Sequence, residues 1–266
     1  MPKPEPAHQP RVLVVIPTYN ERDNLGELVE AVIGHGFEVL IVDDSSPDGT
    51  GAEADRLAAK MPGLSVCHRA ERQGLGPAYA EGFDLALKAG YDIICGMDAD
   101  LSHDPAVLPD LVAPIAESQA DMVIGSRYVT GAGIPDWSWF RKTLSRWGNI
   151  YSRWALGMEV QDATSGFRAY RAGALRRLEV ASCRAVGYLF LTEITWRATQ
   201  LGLQIAEIPI TFQRRRRGDS KMGGRIIFEA MALVTFWGLR RRIFGQGVKP
   251  ESTSDPDLDR TGGSDA

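Results

Sequence analysis

Between Arg11 and Arg127 short unbroken apolar runs alternate with longer segments in which apolar residues recur every three or four positions. The runs are "RVLVVIPTYN", "EVLIVDDSS", "LSVCHR", "YDIICGMDAD" and "ADMVIGSR"; between them lie "NLGELVEAVIGHG", "GTGAEADRLAAKM", "GPAYAEGFDLALKAG" and "VLPDLVAPIAES". A run without alternation predicts a strand covered on both faces, and intervening helices predict parallel pairing. The expectation is an open, mostly parallel α/β sheet flanked by helices. Ligands of such sheets bind in the crevice beyond the carboxyl ends of the strands.

The polar positions sharpen this picture, because acids cluster where the apolar runs stop. Glu21 follows the first run, Asp43 and Asp44 close the second, and Asp98 and Asp100 close "ICGMDAD". Carboxylates on neighbouring parallel strands converge on one crevice, where they can hold a nucleobase or ribose and a hard divalent cation on phosphates. Asp48 and Asp104 read more simply as turn or helix-capping residues.

From Tyr128 onward the pattern loosens. Gly131, Gly133 and Pro135 mark a loop that exposes Trp137, Trp139 and Phe140, and "RKTLSRWGNIYSRWALG" predicts an amphipathic helix. "GLQIAEIPITFQ" predicts a strand or hairpin leading into the basic loop "RRRRGDSKMGG". In "DATSGFRAY", Asp162 is free to meet a sugar hydroxyl, and Arg168 to meet a phosphate or to pair with Asp162. Glu193, on a helical pattern, either faces the sugar or pairs with Arg197.

"IIFEAMALVTFWGL", Ile226–Leu239, contains Glu229 and would run about 21 Å as a helix, too short for a hydrocarbon core of about 30 Å. It reads equally as a core helix or as an interfacial one, its basic end Arg240–Arg242 suiting an anionic membrane surface. The N-terminus, residues 1–10, is proline-rich and lacks the apolar segment of an export signal, and both it and the polar tail 248–266 read as disordered.

Composition adds exclusions. With 44% hydrophobic residues among 266, the chain can bury a large core. A net charge of −4 argues against a nucleic-acid binder, although local anion sites remain open at Arg214–Arg217 and Arg240–Arg242. Three scattered cysteines exclude a disulfide framework or zinc site and suit the cytosol. "GLGPAY" lacks the third glycine of a dinucleotide fingerprint and needs only a tight turn. The acids Asp43, Asp44 and Asp98 would also suit a phospho-receiver module, but the chain is about twice that length.

The strings "VVIPTYNERDNL", "VDDSSPDGT", "GLGPAYAEG", "MDADLSHDP", "GSRY", "DATSGFRAY" and "RRGDSKMG", in this order across Arg11–Arg225, resemble the inverting, metal-dependent GT-A glycosyltransferases that include dolichyl-phosphate and polyprenyl-phosphate mannose synthases. The resemblance implies a GT-A (Rossmann-like) domain over 11–247, with a nucleotide-sugar half at 11–127, an acceptor half at 128–247 and C-terminal interfacial helices. Pro17, Tyr19 and Glu21 match the first nucleotide-binding motif, and Val42 and Asp44 the pair on the guanine and ribose side of GDP-mannose. Asp98, Ala99 and Asp100 match the DxD motif for Mg²⁺ or Mn²⁺, with Asp100 the principal ligand. Ser102 stands where some relatives have a metal-binding glutamine, which makes it a third candidate ligand of the metal. Arg127, Arg215 and Lys221 match basic residues that contact the diphosphate or the acceptor phosphate.

The implied reaction moves mannose from GDP-mannose to a polyprenyl phosphate. A UDP-sugar-dependent glucosyl- or hexosyltransferase and an inactive nucleotide-sugar sensor are the alternatives, the intact acids counting against the sensor. The implied place is the cytoplasmic face of a membrane. Attachment would be peripheral, through the Trp137–Phe140 loop, the Ile226–Leu239 helix or a separate membrane-anchoring protein.

Overall fold

A computed structural model gives the fold; it describes residues 9–185, 187, 189–213 and 224–244, the side chains of 224–230, 241 and 244 excepted. Each apolar run in the first half is a strand: β1 (Val12–Thr18), β2 (Glu38–Asp43), β3 (Leu64–His68), β4 (Ile93–Gly96) and β5 (Met122–Ser126). The helical segments between them form α1 (Arg22–Gly34), α2 (Thr50–Ala58), α3 (Leu75–Lys88) and α4 (Leu108–Ala116). After α5 (Trp139–Leu156) come β6 (Arg168–Arg171), α6 (Ala172–Leu178), α7 (Leu189–Gln200), β7 (Ile205–Pro209) and α8 (Gly224–Phe244).

The strands form one seven-stranded sheet in the order β3-β2-β1-β4-β6-β5-β7. It is mostly parallel, as expected, with one departure: β6 runs antiparallel between β4 and β5. This insertion turns the segment before β6 toward the carboxyl ends of β1, β2, β4 and β5. Chain order reverses beside β1, whose neighbours are β2 and β4, and that reversal opens the crevice at this edge. The strand expected after "GLQ" is β7, parallel to β5, with no hairpin among the described residues.

Apolar clusters cover both sheet faces. Val15, Val42, Tyr79, Phe83 and Ile94 belong to one, and Val14, Ile16, Leu28, Ile41 and Phe167 to the other. This explains why β1 and β2 show no polar alternation. A third, smaller core joins Leu156, Trp196 and Val234, where α5, α7 and α8 meet. Among the described residues, no helix is long and apolar enough to cross a membrane.

Candidate active site

Three loops at the crevice edge each hold a non-glycine residue at positive φ: Asn20 (60°) after β1, Ser45 (58°) after β2 and Leu101 (60°) after β4. Side chains there are strained, and such strain persists only where the surroundings enforce it, typically at ligand sites. The turns bring Tyr19 and Glu21, Asp43 and Asp44, and Asp98 and Asp100 to one edge, as the acid clusters predicted.

Asp43 and Asp44 divide their work. Asp43 accepts hydrogen bonds from Thr18 Oγ1 (3.1 Å) and from the Ser46 backbone N (3.1 Å) and Oγ (2.6 Å), pinning the β2 exit to β1. Asp44 accepts from Arg69 and from the backbone N–H groups of Gln73 (3.1 Å) and Gly74 (2.7 Å). It therefore holds the turn that starts α3, where Gly74 adopts φ 94°. That turn accounts for the first glycine of "GLGPAY"; the second, Gly76, lies within α3, where an added Cβ would stand 3.0 Å from the Phe190 ring. Arg69 also bonds Glu81 (2.8 Å), which fastens the loop to α3.

Pro17 lies on β1 beside Val42 on β2. The Val42 side chain is fully buried, so whatever this residue offers a ligand comes from its backbone. The Arg72 guanidinium lies 3.8 Å over the Tyr19 ring, a cationic stack at the mouth of the crevice. Glu21 accepts from Asn24 Nδ2 (2.8 Å), and its backbone N donates to Thr50 Oγ1 (3.0 Å). Asp48 is a turn acid, accepting from the backbone N of Thr50 (3.0 Å), and Asp104 a capping one, accepting from that of Ala106 (3.0 Å).

Asp98, Ala99 and Asp100 form the β4 exit. Asp100 is buried and accepts from the Ser102 backbone N (3.1 Å) and from Ser102 Oγ. Ser102 thus orients Asp100. Sequence reasoning missed His103, which is buried within the same motif, stacked on Phe167 (4.9 Å) and edge-on to Phe212 (5.5 Å). The Asp98 backbone N donates to His103 Nδ1 (3.3 Å), so the ring proton sits on Nε2. Burial pushes this imidazole's pKa down against the pull of Asp98 and Asp100, which favours the neutral ring.

Arg127, directly after β5, is clamped. Its Nε and Nη2 donate to Asp162 (2.7 and 2.8 Å), Nη2 donates to Thr164 Oγ1 (2.7 Å), and its backbone N donates to Asp162 Oδ2 (3.0 Å). Burial acts to raise the Asp162 carboxyl and to lower the guanidinium, but their mutual attraction wins, holding the acid below its ordinary value and Arg127 above its own. Asp162 also takes Thr164 N (3.3 Å), and its own N–H is held by Glu207 (2.9 Å).

Among the described residues Arg168 forms no ion pair, although its charge helps to hold the Asp162 carboxyl down. Fully buried, it donates to the carbonyls of Ala163 (2.6 Å), Ser165 (2.6 Å) and Leu191 (3.0 Å) and to Thr195 Oγ1 (3.0 Å). Its role is to shape the 162–167 loop. Glu193 pairs with Arg197 (2.6 Å) and accepts the N–H groups of Arg184 and Ala185, the structural alternative for that residue.

Arg215 and Lys221 lie outside the described residues. Gln213, the last described residue before that segment, donates its backbone N to the Ser102 carbonyl (3.1 Å). Trp139 and Phe140 are exposed as expected, but on the first turn of α5. Trp137 instead turns inward, edge-on to Phe212 (5.6 Å) with Arg141 over its ring (4.0 Å).

A hard divalent cation fits this edge. Among the described residues no group of three or more His, Cys, Asp or Glu gathers as a metal cage. Two carboxylates at a strand exit are the donor set for an ion such as Mg²⁺ that completes its shell with water and substrate phosphates.

The family described as Glycosyl transferase family 2 matches residues 13–179. A polyprenol monophosphomannose synthase of Mycolicibacterium smegmatis is 46% identical over 237 residues, covering 88% of this chain and 89% of that protein. An undecaprenyl-phosphate mannosyltransferase of Micrococcus luteus is 47% identical over 239 residues, covering 88% and 97%. Among solved structures, a mannosyltransferase from Pyrobaculum calidifontis in complex with GDP-Man and Mn²⁺ superposes with a TM-score of 0.57 at 22% identity, covering 93% of this chain and 68% of that one. With the family matched over more than half of its length and two such relatives aligned nearly end to end, the chain belongs to glycosyl transferase family 2, on the polyprenyl-phosphate mannose synthase branch, and is a glycosyltransferase of the GT-A fold.

Proposed function

We propose that the protein transfers mannose from GDP-mannose to a polyprenyl phosphate with inversion, giving polyprenyl β-phosphomannose and GDP. The observation that carries this is the pair Asp98 and Asp100 at the β4 exit, beside β1 at the chain reversal, in a chain whose relatives are named for mannosyl transfer to polyprenyl phosphates. An oxygen of the acceptor phosphate attacks the anomeric carbon as the bond from that carbon to the β-phosphate oxygen breaks, and GDP departs. The acceptor is already an anion, so the site needs no base to activate it. Its task is to position two anions in line and to screen their charge.

Asp98 and Asp100 would hold Mg²⁺ or Mn²⁺, which, when bound, neutralises the charge that grows on the leaving diphosphate. Pro17, Tyr19, Glu21, the Val42 backbone and Ala99 line the donor side, with Asp44 holding its floor through the Gly74 turn. Arg127, fixed by Asp162, presents a preorganised cation behind the diphosphate. From sequence, Arg215 and Lys221 are assigned to the phosphates. The test is transfer of labelled sugar to polyprenyl phosphate in detergent with Mg²⁺, from GDP-mannose and from UDP-glucose in parallel. A β-linked mannolipid from GDP-mannose alone is expected; product from UDP-glucose alone would move the chain to a hexosyl specificity.

The same reading includes peripheral membrane attachment, on the cytoplasmic leaflet where nucleotide sugars are made. Trp147, Ile150 and Trp154 form an exposed stripe on α5, and Phe236, Leu239 and Ile243 form one on α8. The helices pack together, Tyr151 Oη bonding Thr235 Oγ1 (2.6 Å) and Arg242 lying 4.4 Å over Trp154. Exposed indoles interleaved with arginines suit the headgroup layer of an anionic membrane.

A further inference from the structure

Gly166 occupies a place in the crevice that the reading above leaves without a role. It is buried in the loop before β6, and a Cβ built on it would stand 2.7 Å from Asp98 Oδ1 and 3.2 Å from both Asp98 Cγ and Oδ2. An added Cβ would press on the carboxylate oxygens, so the bare backbone at 166 leaves the space that the Asp98 carboxylate occupies. The Asp98 backbone N–H is tied to His103, whose Nε2 stands 4.0 Å from Asp98 Oδ2. The Asp98 carboxylate thus has the Gly166 backbone and the imidazole as neighbours, while 19% of its side chain remains exposed.

Which side yields to an added methyl decides the consequence. The loop is anchored from several elements: Arg168 ties the Ala163 and Ser165 carbonyls to α7, Asn149 Oδ1 accepts Ala163 N (3.0 Å), and Glu207 on β7 accepts Gln161 N (2.7 Å) and Asp162 N. Phe167, next in the chain, is fully buried beneath His103. Gly166 is absent from the glycines at positive φ, so alanine there meets no left-handed backbone strain. The carboxylate, at the far end of a rotatable side chain, gives way.

We propose that Gly166 is a positioning residue for the divalent cation, its bare backbone setting the angle at which Asp98 meets the metal. This rests on the assignment of Asp98 to the metal. Mg²⁺ demands near-ideal octahedral geometry, so a rotated carboxylate costs affinity although the charge is unchanged. Groups that orient a metal ligand typically contribute about 10-fold to 100-fold in affinity.

The experiment is Mn²⁺ binding to the full chain with GDP present, read as loss of the free-Mn²⁺ electron paramagnetic resonance signal, together with thermal unfolding. Gly166→Ala should weaken Mn²⁺ binding by about 10-fold. Asp98→Ala alone should weaken it more, and the double variant should bind no worse than Asp98→Ala. If Asp98→Ala leaves binding intact, the metal assignment itself falls. If Asp98→Ala abolishes binding while Gly166→Ala stays within about twofold of the wild type, the assignment stands and the role of Gly166 is overturned. Should Gly166→Ala also lower the melting temperature, the double variant should recover it, because the carboxylate that clashes is gone. A double variant no more stable than Gly166→Ala would show that the backbone yields, and would overturn the proposal.

Discussion

At the scale of the residue, the crevice depends on ionised groups held by fixed partners, and the Arg127–Asp162 pair shows the consequence most plainly. Asp162→Asn leaves a buried guanidinium without its counter-charge, which costs about 3 kcal/mol or more of unfolding free energy in urea titrations. The pH dependence has a definite sign. The folded carboxyl lies below its ordinary value of 3.8, so the wild type's advantage over the variant is full above that value and is lost as pH falls through the folded one. Parallel stability curves for the two proteins in acid would contradict this.

The acids themselves were legible in the sequence, because apolar strands that end in carboxylates advertise a crevice. Their partners were less so. Arg168 reads as a cation for a phosphate or for Asp162 but serves carbonyls in the core, and nothing local to "SGFRAY" announces that. His103 stood in view within "DADLSHDP", yet its burial depends on Phe167 and Phe212, far away in sequence.

At the scale of the element, close packing of α3 on the sheet fixes the floor of the donor side. A Cβ at Gly82 would stand 2.4 Å from Val15 Cγ1 and 2.9 Å from Val42 Cγ2, on β1 and β2. Both valines are wedged in the core, so Gly82→Ala should destabilise the fold by about 1–3 kcal/mol through overpacking. Because Val42 precedes Asp43 and Asp44, it should also weaken GDP binding in calorimetry; unchanged stability would mean that α3 lifts freely from the sheet. Helix α3 and strands β1–β5 follow from unbroken apolar runs and helical periodicity. Strand β6 escaped because "RAYR" is short and flanked by arginines, and only its central place between β4 and β5 makes it a strand. Helix α6 escaped with it, since a seven-residue segment carries too little periodicity to read.

At the scale of the whole molecule, α5 and α8 gather the exposed aromatic and aliphatic side chains with neighbouring arginines. The amphipathic helix at α5 was legible from its spacing, whereas its pairing with α8 required the third core to be seen. Changing Arg240, Arg241 and Arg242 to Glu should reduce flotation with anionic liposomes, each charge near the surface contributing about 1 kcal/mol, while neutral liposomes should show little change. Equal flotation of variant and wild type on anionic vesicles would remove the basic end of α8 from the attachment.

The central claim is that sugar transfer runs through a divalent cation held at the β4 exit. Its most direct test is the single-turnover rate of mannose transfer from GDP-mannose to polyprenyl phosphate by the wild type and by Asp100→Ala, with and without Mg²⁺ or Mn²⁺. The wild type should form mannolipid only with the cation, and the variant should be slower by about 10³-fold, a loss of about 4 kcal/mol of transition-state stabilisation. Transfer by Asp100→Ala at the wild-type rate, with the same dependence on the cation, would contradict the account.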